Sequence, residues 1–357
     1  MKVLHVIPGL SAAQGGLQSA LLNLCLAQRT AGITPAIAAL HEDAPPDPGF
    51  DEFETHLFKC NFRPTGASNA MKHWLRQHSA DYAAIVGHSI WRDPLLYAAQ
   101  APNPLVIMAH GMLDRDAVRH RAWRKALRLT LRLPDVLARA TVVYTCAGEQ
   151  QRSVAHSRAA AVIPLAVSVP DNPPPASPGG PIVCLGRVDA RKGTLEWVNA
   201  LNLLAQRGDA FRAVHAGPVE NARYHRRVRE AAQPLDDRLG FLGPLPYADA
   251  QQLLRAAGVV VAPCAVAENF GMVIAEALAA ARTVVAGRRG LIVPELEAEG
   301  ALLGAEHDAG DYARAIQAAL QSPGSSGLLG YQLAKARFAP AAVGQAWHEL
   351  LRNAPAR

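Results

Sequence analysis

Short apolar runs alternate with longer amphipathic stretches along nearly the whole chain, and no other feature constrains its fold as strongly. "KVLHVIP" reads as a buried strand, "GGLQSALLNLCLAQRTAG" as a helix closed by Gly32, and "TPAIAAL" as the next strand. "YAAIVGHS", "PLVIMAHG" and "TVVYTCAG" follow, each an apolar run bounded by Gly, His or Ser and succeeded by a helical pattern. Strands that alternate with helices build a parallel sheet covered on both faces. The pattern breaks at "VPDNPPPASPGGP", residues 169–181, where the prolines exclude both a helix and a central strand and predict a semi-rigid linker. It then restarts with "PIVCLGRV", "RAVHAGP", "RLGFLGPL", "VVVAPC", "TVVAG" and "ALLGAEH" as strands. Two α/β domains are therefore expected, residues 1–168 and 182–338, with residues 339–357 as a final helical segment. Ligands of such sheets bind at the carboxyl ends of the strands, so two facing sheets predict a cleft between the domains.

The chain has 357 residues, enough for two cores of about 150 residues each. Half of them are apolar, which excludes wholesale disorder, yet no run reaches the roughly 20 apolar residues of a membrane span. The start, "MKVLHVIPGLSAAQGG", turns into a glycine-rich loop too early for a signal peptide. Five cysteines are scattered without metal-ligand spacing, which fits reduced thiols in a cytosol. The net charge of +6 is mild, and basic stripes interleaved with aromatics are absent, so no nucleic-acid partner is expected. The basic excess is local, in "RDAVRHRAWRKALRLTLRLPDVLARA", residues 115–140. That segment reads as an amphipathic helix with a solvated face; the alternative is contact with anionic lipid headgroups or an anionic acceptor.

Several loops carry residues suited to an anionic, hydroxyl-rich ligand. Gly15 and Gly16 open the first helix and can aim backbone N–H groups at an anion. This loop lacks the G-x-G-x-x-G spacing, and the second strand ends without a well-placed acid for a ribose, so a nicotinamide site is poorly supported. "GRVDARKG" places Arg187 at a strand end and Lys192 in the next loop, two cations beside a helix N-terminus where a diphosphate would be held. His110 follows "VIMA" directly, and His88 holds the same position after "YAAIVG" with less around it. "AENFGMVIAEALAAA" contains Glu268 in a loop and Glu276 about two turns into the expected helix. Eight helical residues span about 12 Å, whereas glycosidase carboxylates sit about 5–9.5 Å apart. The two glutamates thus suit opposite ends of one extended ligand better than a catalytic dyad. The helix start at Phe270, Gly271 and Met272 would lie between them. The apolar surroundings predict that Glu276 is buried and needs hydrogen-bond partners such as ribose hydroxyls.

In their order and spacing, "QGGLQ", "AHGML", "LGRVDARKG", "HAGP", "FLGPL" and "ENFGMVIAEALA" resemble the retaining nucleotide-sugar glycosyltransferases of GT-B fold that carry an E-x7-E motif. The resemblance implies two Rossmann-like domains with parallel sheets facing across a cleft, and a last helix that crosses back to the first domain. It implies transfer of a hexose-type sugar from a UDP or GDP donor to a saccharide or lipid-linked acceptor, in the synthesis of bacterial surface polysaccharide or glycoconjugate. No cofactor or metal is implied, because Arg187 and Lys192 would offset the charge of the leaving diphosphate. Gly15 and Gly16 would border that diphosphate, and His110 would contact the donor sugar and stabilise charge near the reacting carbon. Glu268 would hold sugar hydroxyls with the backbone of Asn269, Phe270 and Gly271 nearby, and Glu276 would bind the ribose. A cytoplasmic protein, peripheral at the inner face of the membrane, is expected. A nucleotide-sugar epimerase or hydrolase of the same fold, or a silent nucleotide-binding scaffold, are the alternatives. The chain departs from the family at Ala281 and Thr283, where Gly and then Pro are usual, which predicts a shifted helix-to-strand junction. It departs again at Leu165 and Ala166, where Asn-Gly is usual. Gly290 and Leu291 fall in the region expected to approach the nucleotide.

Overall fold

The computed structural model describes residues 1–11, 16–119, 133–154, 157–321 and 325–354. The chain forms two compact units, residues 1–166 with 340–357, and residues 167–339.

Unit 1 is built on a seven-stranded sheet whose paired strands all run parallel. Its strands are β1 (Lys2–Ile7), β2 (Thr34–Leu40), β3 (Glu54–Phe58), β4 (Ala84–His88), β5 (Leu105–Met108), β6 (Thr141–Tyr144) and β7 (Ala159–Val162), in the spatial order β3-β2-β1-β4-β5-β6-β7. The strand order reverses direction between β1 and β4, the switch point at which open α/β sheets bind ligands. The central strands β1, β2, β4 and β5 are buried almost throughout, as a sheet covered on both faces requires. The two edge strands, β3 and β7, escape the sequence pattern because they stay partly wet: "ETHLF" mixes polar and apolar side chains and "AAAV" is largely exposed. The helix Gly16–Thr30 packs against the final helix Pro340–Arg352, so the last segment of the chain belongs to unit 1. A side chain at Gly344 would place its Cβ 2.1 Å from the Ala27 carbonyl oxygen, so the close approach of these helices requires glycine there.

Unit 2 repeats the architecture with β8 (Ile182–Leu185), β9 (Ala213–Ala216), β10 (Leu239–Phe241), β11 (Val259–Ala262), β12 (Thr283–Gly287) and β13 (Leu303–Ala305). The order is β10-β9-β8-β11-β12-β13, again all parallel, with the reversal between β8 and β11. Trp197, Val198 and Leu201 of the helix Thr194–Gln206 fill one face with Tyr312 and Ile316 of the helix Ala309–Gln321. The proline-rich run 169–181 is held onto this unit. Tyr331 donates its hydroxyl to the Pro170 carbonyl at 2.7 Å, and the buried Arg282 guanidinium donates to the carbonyls of Pro174 and Pro175 and to Ser177 Oγ.

The helix carrying Glu276 is shorter than its sequence suggests. It runs Met272–Ala279, so Glu276 is its fifth residue, little more than one turn in rather than two. Gly271 has φ 67°, outside the helical region, and Ala281 at φ 56° closes the other end. Ala281 thus takes the left-handed conformation that a glycine would take at less cost. Thr283 then opens β12 directly.

Candidate functional site

In unit 2 the candidate residues gather at the carboxyl ends of β8 and β11, the two strands that flank the reversal of strand order. β8 ends at Leu185, and the chain turns through Gly186 into a loop whose Asp189 carboxylate accepts a hydrogen bond from the Arg191 backbone N–H at 2.9 Å. That contact closes a 3-10 turn, Ala190–Lys192, and Gly193 at φ 69° then starts the helix Thr194–Gln206. Lys192 is delivered to the sheet edge by this turn and forms an ion pair with Glu268. Both side chains are about seven-tenths buried, at 29% and 31% exposure, so the pair is neither a loose surface contact nor a desolvated one. Ala265 donates its N–H to the Arg191 carbonyl at 3.0 Å, which stitches the loop after β11 to the loop after β8. Glu268 is fixed from its other side by Leu291, whose N–H donates to the Glu268 carbonyl at 2.7 Å. Gly290 pairs with Glu268 as an isolated bridge.

The remaining cation, Arg187, is not drawn into that pair. It is half-exposed and bound to Glu220, which also accepts from Arg191 at 3.3 Å. The sequence reading missed Glu220, although its place just beyond "HAGP" at the end of β9 was a usable signal. Asn269 and Met272 are half-buried beside Glu268, while Phe270 is buried and stacks edge-on against Phe338 at 5.3 Å. Phe270 is thereby a packing residue on its side-chain side, leaving only its backbone for a ligand. Glu276 is half-buried, not fully buried as the apolar sequence around it predicts, on a helix that packs against the helix Tyr247–Ala256. Burial nonetheless pushes its carboxyl up to about 7, with the Gln251 side chain pulling weakly the other way.

In unit 1, Gly16 is the first residue of the helix Gly16–Thr30, whereas Gly15 lies outside the described residues. Of the arginine-rich segment, residues 115–119 and 133–137 are helical, and residues 120–132 likewise lie outside. His110 sits two residues past β5 in the left-handed region at φ 50°, a conformation uncommon for a side chain of its size. The turn is over-determined by Glu149, a buried carboxylate absent from the sequence reading. Its Oε1 accepts from the Gly111 N–H at 2.7 Å and its Oε2 from the Thr145 N–H at 2.6 Å. His110 Nε2 lies 2.9 Å from His88 Nδ1, so the two histidines at neighbouring strand ends are brought into contact. Burial holds the His110 imidazole down to about 4, neutral at ordinary pH.

The family model described as "Glycosyl transferases group 1" matches residues 180–322, the span that contains Arg187, Lys192, Glu268 and Glu276. A D-inositol 3-phosphate glycosyltransferase of Catenulispora acidiphila is 34% identical over 109 residues, 30% of this chain and only about a quarter (25%) of that relative's length. Among solved structures, HepE of Anabaena in complex with UDP and glucose superimposes with a TM-score of 0.78 at 18% identity, covering 99% of this chain and 100% of the other. The sucrose-phosphate synthase of Thermosynechococcus elongatus gives 0.75 at 20% identity, covering 99% and 98%. The fold is therefore that of the GT-B glycosyltransferases, two parallel-sheet Rossmann-like units, and the group 1 glycosyltransferase family is supported over its C-terminal unit. Among the described residues no helix is long and apolar enough to cross a membrane.

Proposed function

We propose that the chain transfers a hexose-type sugar, with retention, from a nucleoside diphosphate donor to a saccharide or lipid-linked acceptor, at a site centred on the ion pair of Lys192 with Glu268. That pair is the observation that carries the reading. It sets a cation suited to a diphosphate and a carboxylate suited to sugar hydroxyls side by side, at the switch point where such sheets bind ligands. A uridine diphosphate donor is the favoured one, since HepE was solved with UDP and glucose.

In this reading Lys192 and Arg187 offset the charge that develops on the departing diphosphate, and so replace a metal ion. Each is held by a carboxylate in the free protein, Glu268 and Glu220, and an incoming diphosphate competes for both. Glu268 then turns its oxygens to the sugar, and Glu276 accepts from the ribose hydroxyls. The backbone of Asn269, Gly271 and Met272 lines the donor, Gly15 and Gly16 border the diphosphate, and neutral His110 meets the sugar. No side chain serves as a nucleophile; the leaving phosphate takes the acceptor proton. An anionic acceptor or the inner face of the cell membrane is the proposed partner of the arginine-rich sequence, residues 115–140.

A thermal-shift panel of UDP-, GDP- and ADP-sugars at millimolar concentration tests the assignment. A sugar nucleotide present at about 100 times its Kd raises stability by about 2.7 kcal/mol, a shift of several degrees. No shift with any member of the panel would overturn the donor site.

A further inference from the structure

Three histidines of unit 1, two on the adjacent strands β1 and β4 and one just past the end of β5, form a single hydrogen-bonded row. His5 lies in β1 opposite Val86 of β4, and His88 lies two residues further along β4. His88 pairs with Met108 of β5, and His110 lies two residues further still. A step of two residues within β4 keeps His88 on the same face as Val86, opposite His5, and the left-handed turn past β5 brings His110 beside His88. The distances follow: His5 Nδ1 to His88 Nε2 is 2.9 Å, and His88 Nδ1 to His110 Nε2 is 2.9 Å. The row ends at Gln28, on the helix Gly16–Thr30 that covers this face, with Oε1 at 2.8 Å from His5 Nε2. Gln28 and His5 are 0% exposed and His88 is 1% exposed, so water does not interrupt the row.

Such a row can hold one of two collective patterns of protons, and the Gln28 amide selects between them. A neutral imidazole has one donor and one acceptor nitrogen. An acceptor oxygen at Gln28 requires the proton of His5 on Nε2, which leaves Nδ1 as an acceptor for His88 Nε2–H. The same step repeats at His88 and fixes the proton of His110 on Nε2. Turning the Gln28 amide over would reverse every bond at once, so the direction is collective. Burial keeps all three imidazoles neutral, with His5 held down to about 4 and His88 well below its ordinary value, so no imidazole carries a second proton to break the pattern.

We propose that Gln28, His5 and His88 are positioning residues that hold His110 in one tautomer, with its proton on Nε2 and a lone pair on Nδ1, so that His110 meets the donor sugar as a hydrogen-bond acceptor. The sugar contact rests on the functional reading above; the tautomer does not. The row gives His110 a fixed ring plane and a fixed polarity, and it supplies a neutral acceptor for a sugar hydroxyl where a cation would instead compete for the diphosphate. It also accounts for the left-handed backbone at His110, which carries the ring back over the end of β5 onto His88.

Two-bond proton–nitrogen correlation spectra of the full chain, labelled with 15N-histidine and recorded without ligand at pH 7.5, read each tautomer directly. Single His→Gln variants assign the signals. The expected result is the neutral Nε2–H form at His5, His88 and His110; an Nδ1–H or charged His110 would overturn the proposal. The Gln28→Met variant removes the terminal acceptor at similar volume, and mixed tautomers at His110 are expected, with donor affinity lowered three- to tenfold. Gln28→Glu restores an acceptor and the single Nε2–H form. An unchanged His110 spectrum in Gln28→Met would show that the row does not transmit its direction, and would also overturn the proposal. If the tautomers are as expected but no sugar nucleotide binds, the sugar contact falls together with the functional reading. An Nδ1–H His110 in a chain that does bind donor sinks this proposal alone.

Discussion

Glu276 shows how one half-buried carboxyl can weigh on the fold. Its carboxyl is raised to about 7 by burial, against an ordinary value near 4.5. Between those two values the unfolded chain has released the proton while the folded chain retains it. The folded state is therefore favoured below pH 4.5, and that advantage is lost as the pH rises through 7. The Glu276→Gln variant, neutral at every pH, should gain about 1–3 kcal/mol over the natural chain at pH 8 and well under 1 kcal/mol at pH 5. Urea titration at the two pH values checks the difference. An equal effect at both would show that the carboxyl is not held protonated. If Glu276 accepts from ribose hydroxyls, the same variant should weaken donor binding about tenfold while it strengthens the fold, the signature of a residue kept for binding.

The elements were largely legible, and the exceptions have physical causes. The inner strands of both units show as apolar runs because parallel strands are buried on both faces, and the edge strands β10 and β13 remain apolar enough to show as well. β3 and β7 were not read, since an edge strand need not be apolar on its outer side. The helix Met272–Ala279 was read too long because Phe270 continues the apolar pattern, although its ring packs against Phe338 from outside the helix. Its end depends on Ala281 at φ 56°, where glycine would sit without strain. The Ala281→Gly variant should gain about 0.5–1 kcal/mol, net of the greater freedom glycine adds to the unfolded chain. A melting temperature that falls instead would show that the Ala281 methyl group packs usefully. Arg282 beside it is buried, although nothing in the local sequence marks it. Its guanidinium is 2% exposed and donates to six oxygens across three segments, a use of arginine that no local sequence pattern announces.

At the scale of the whole molecule, two Rossmann-like units each place their candidate residues near the carboxyl ends of central strands, at or one strand away from the reversal of strand order. The positions of Arg187, Lys192, Glu268 and His110 could be read from sequence because strand ends are easily located. Their partners could not, because Glu220 lies 33 residues from Arg187, Glu149 lies 38 from Gly111, and His5 lies 83 from His88 along the chain. Pairing of that kind is decided by register and not by local pattern. The central claim is that Lys192, held by Glu268 in the free protein, offsets the charge of a departing nucleoside diphosphate. The most direct measurement is the rate of UDP release from UDP-glucose, with and without a saccharide acceptor, in the natural chain and in Lys192→Gln. The account predicts acceptor-stimulated release that falls about 10²–10³-fold in the variant, with the protein still folded by melting temperature. Release at an undiminished rate from folded Lys192→Gln would contradict it.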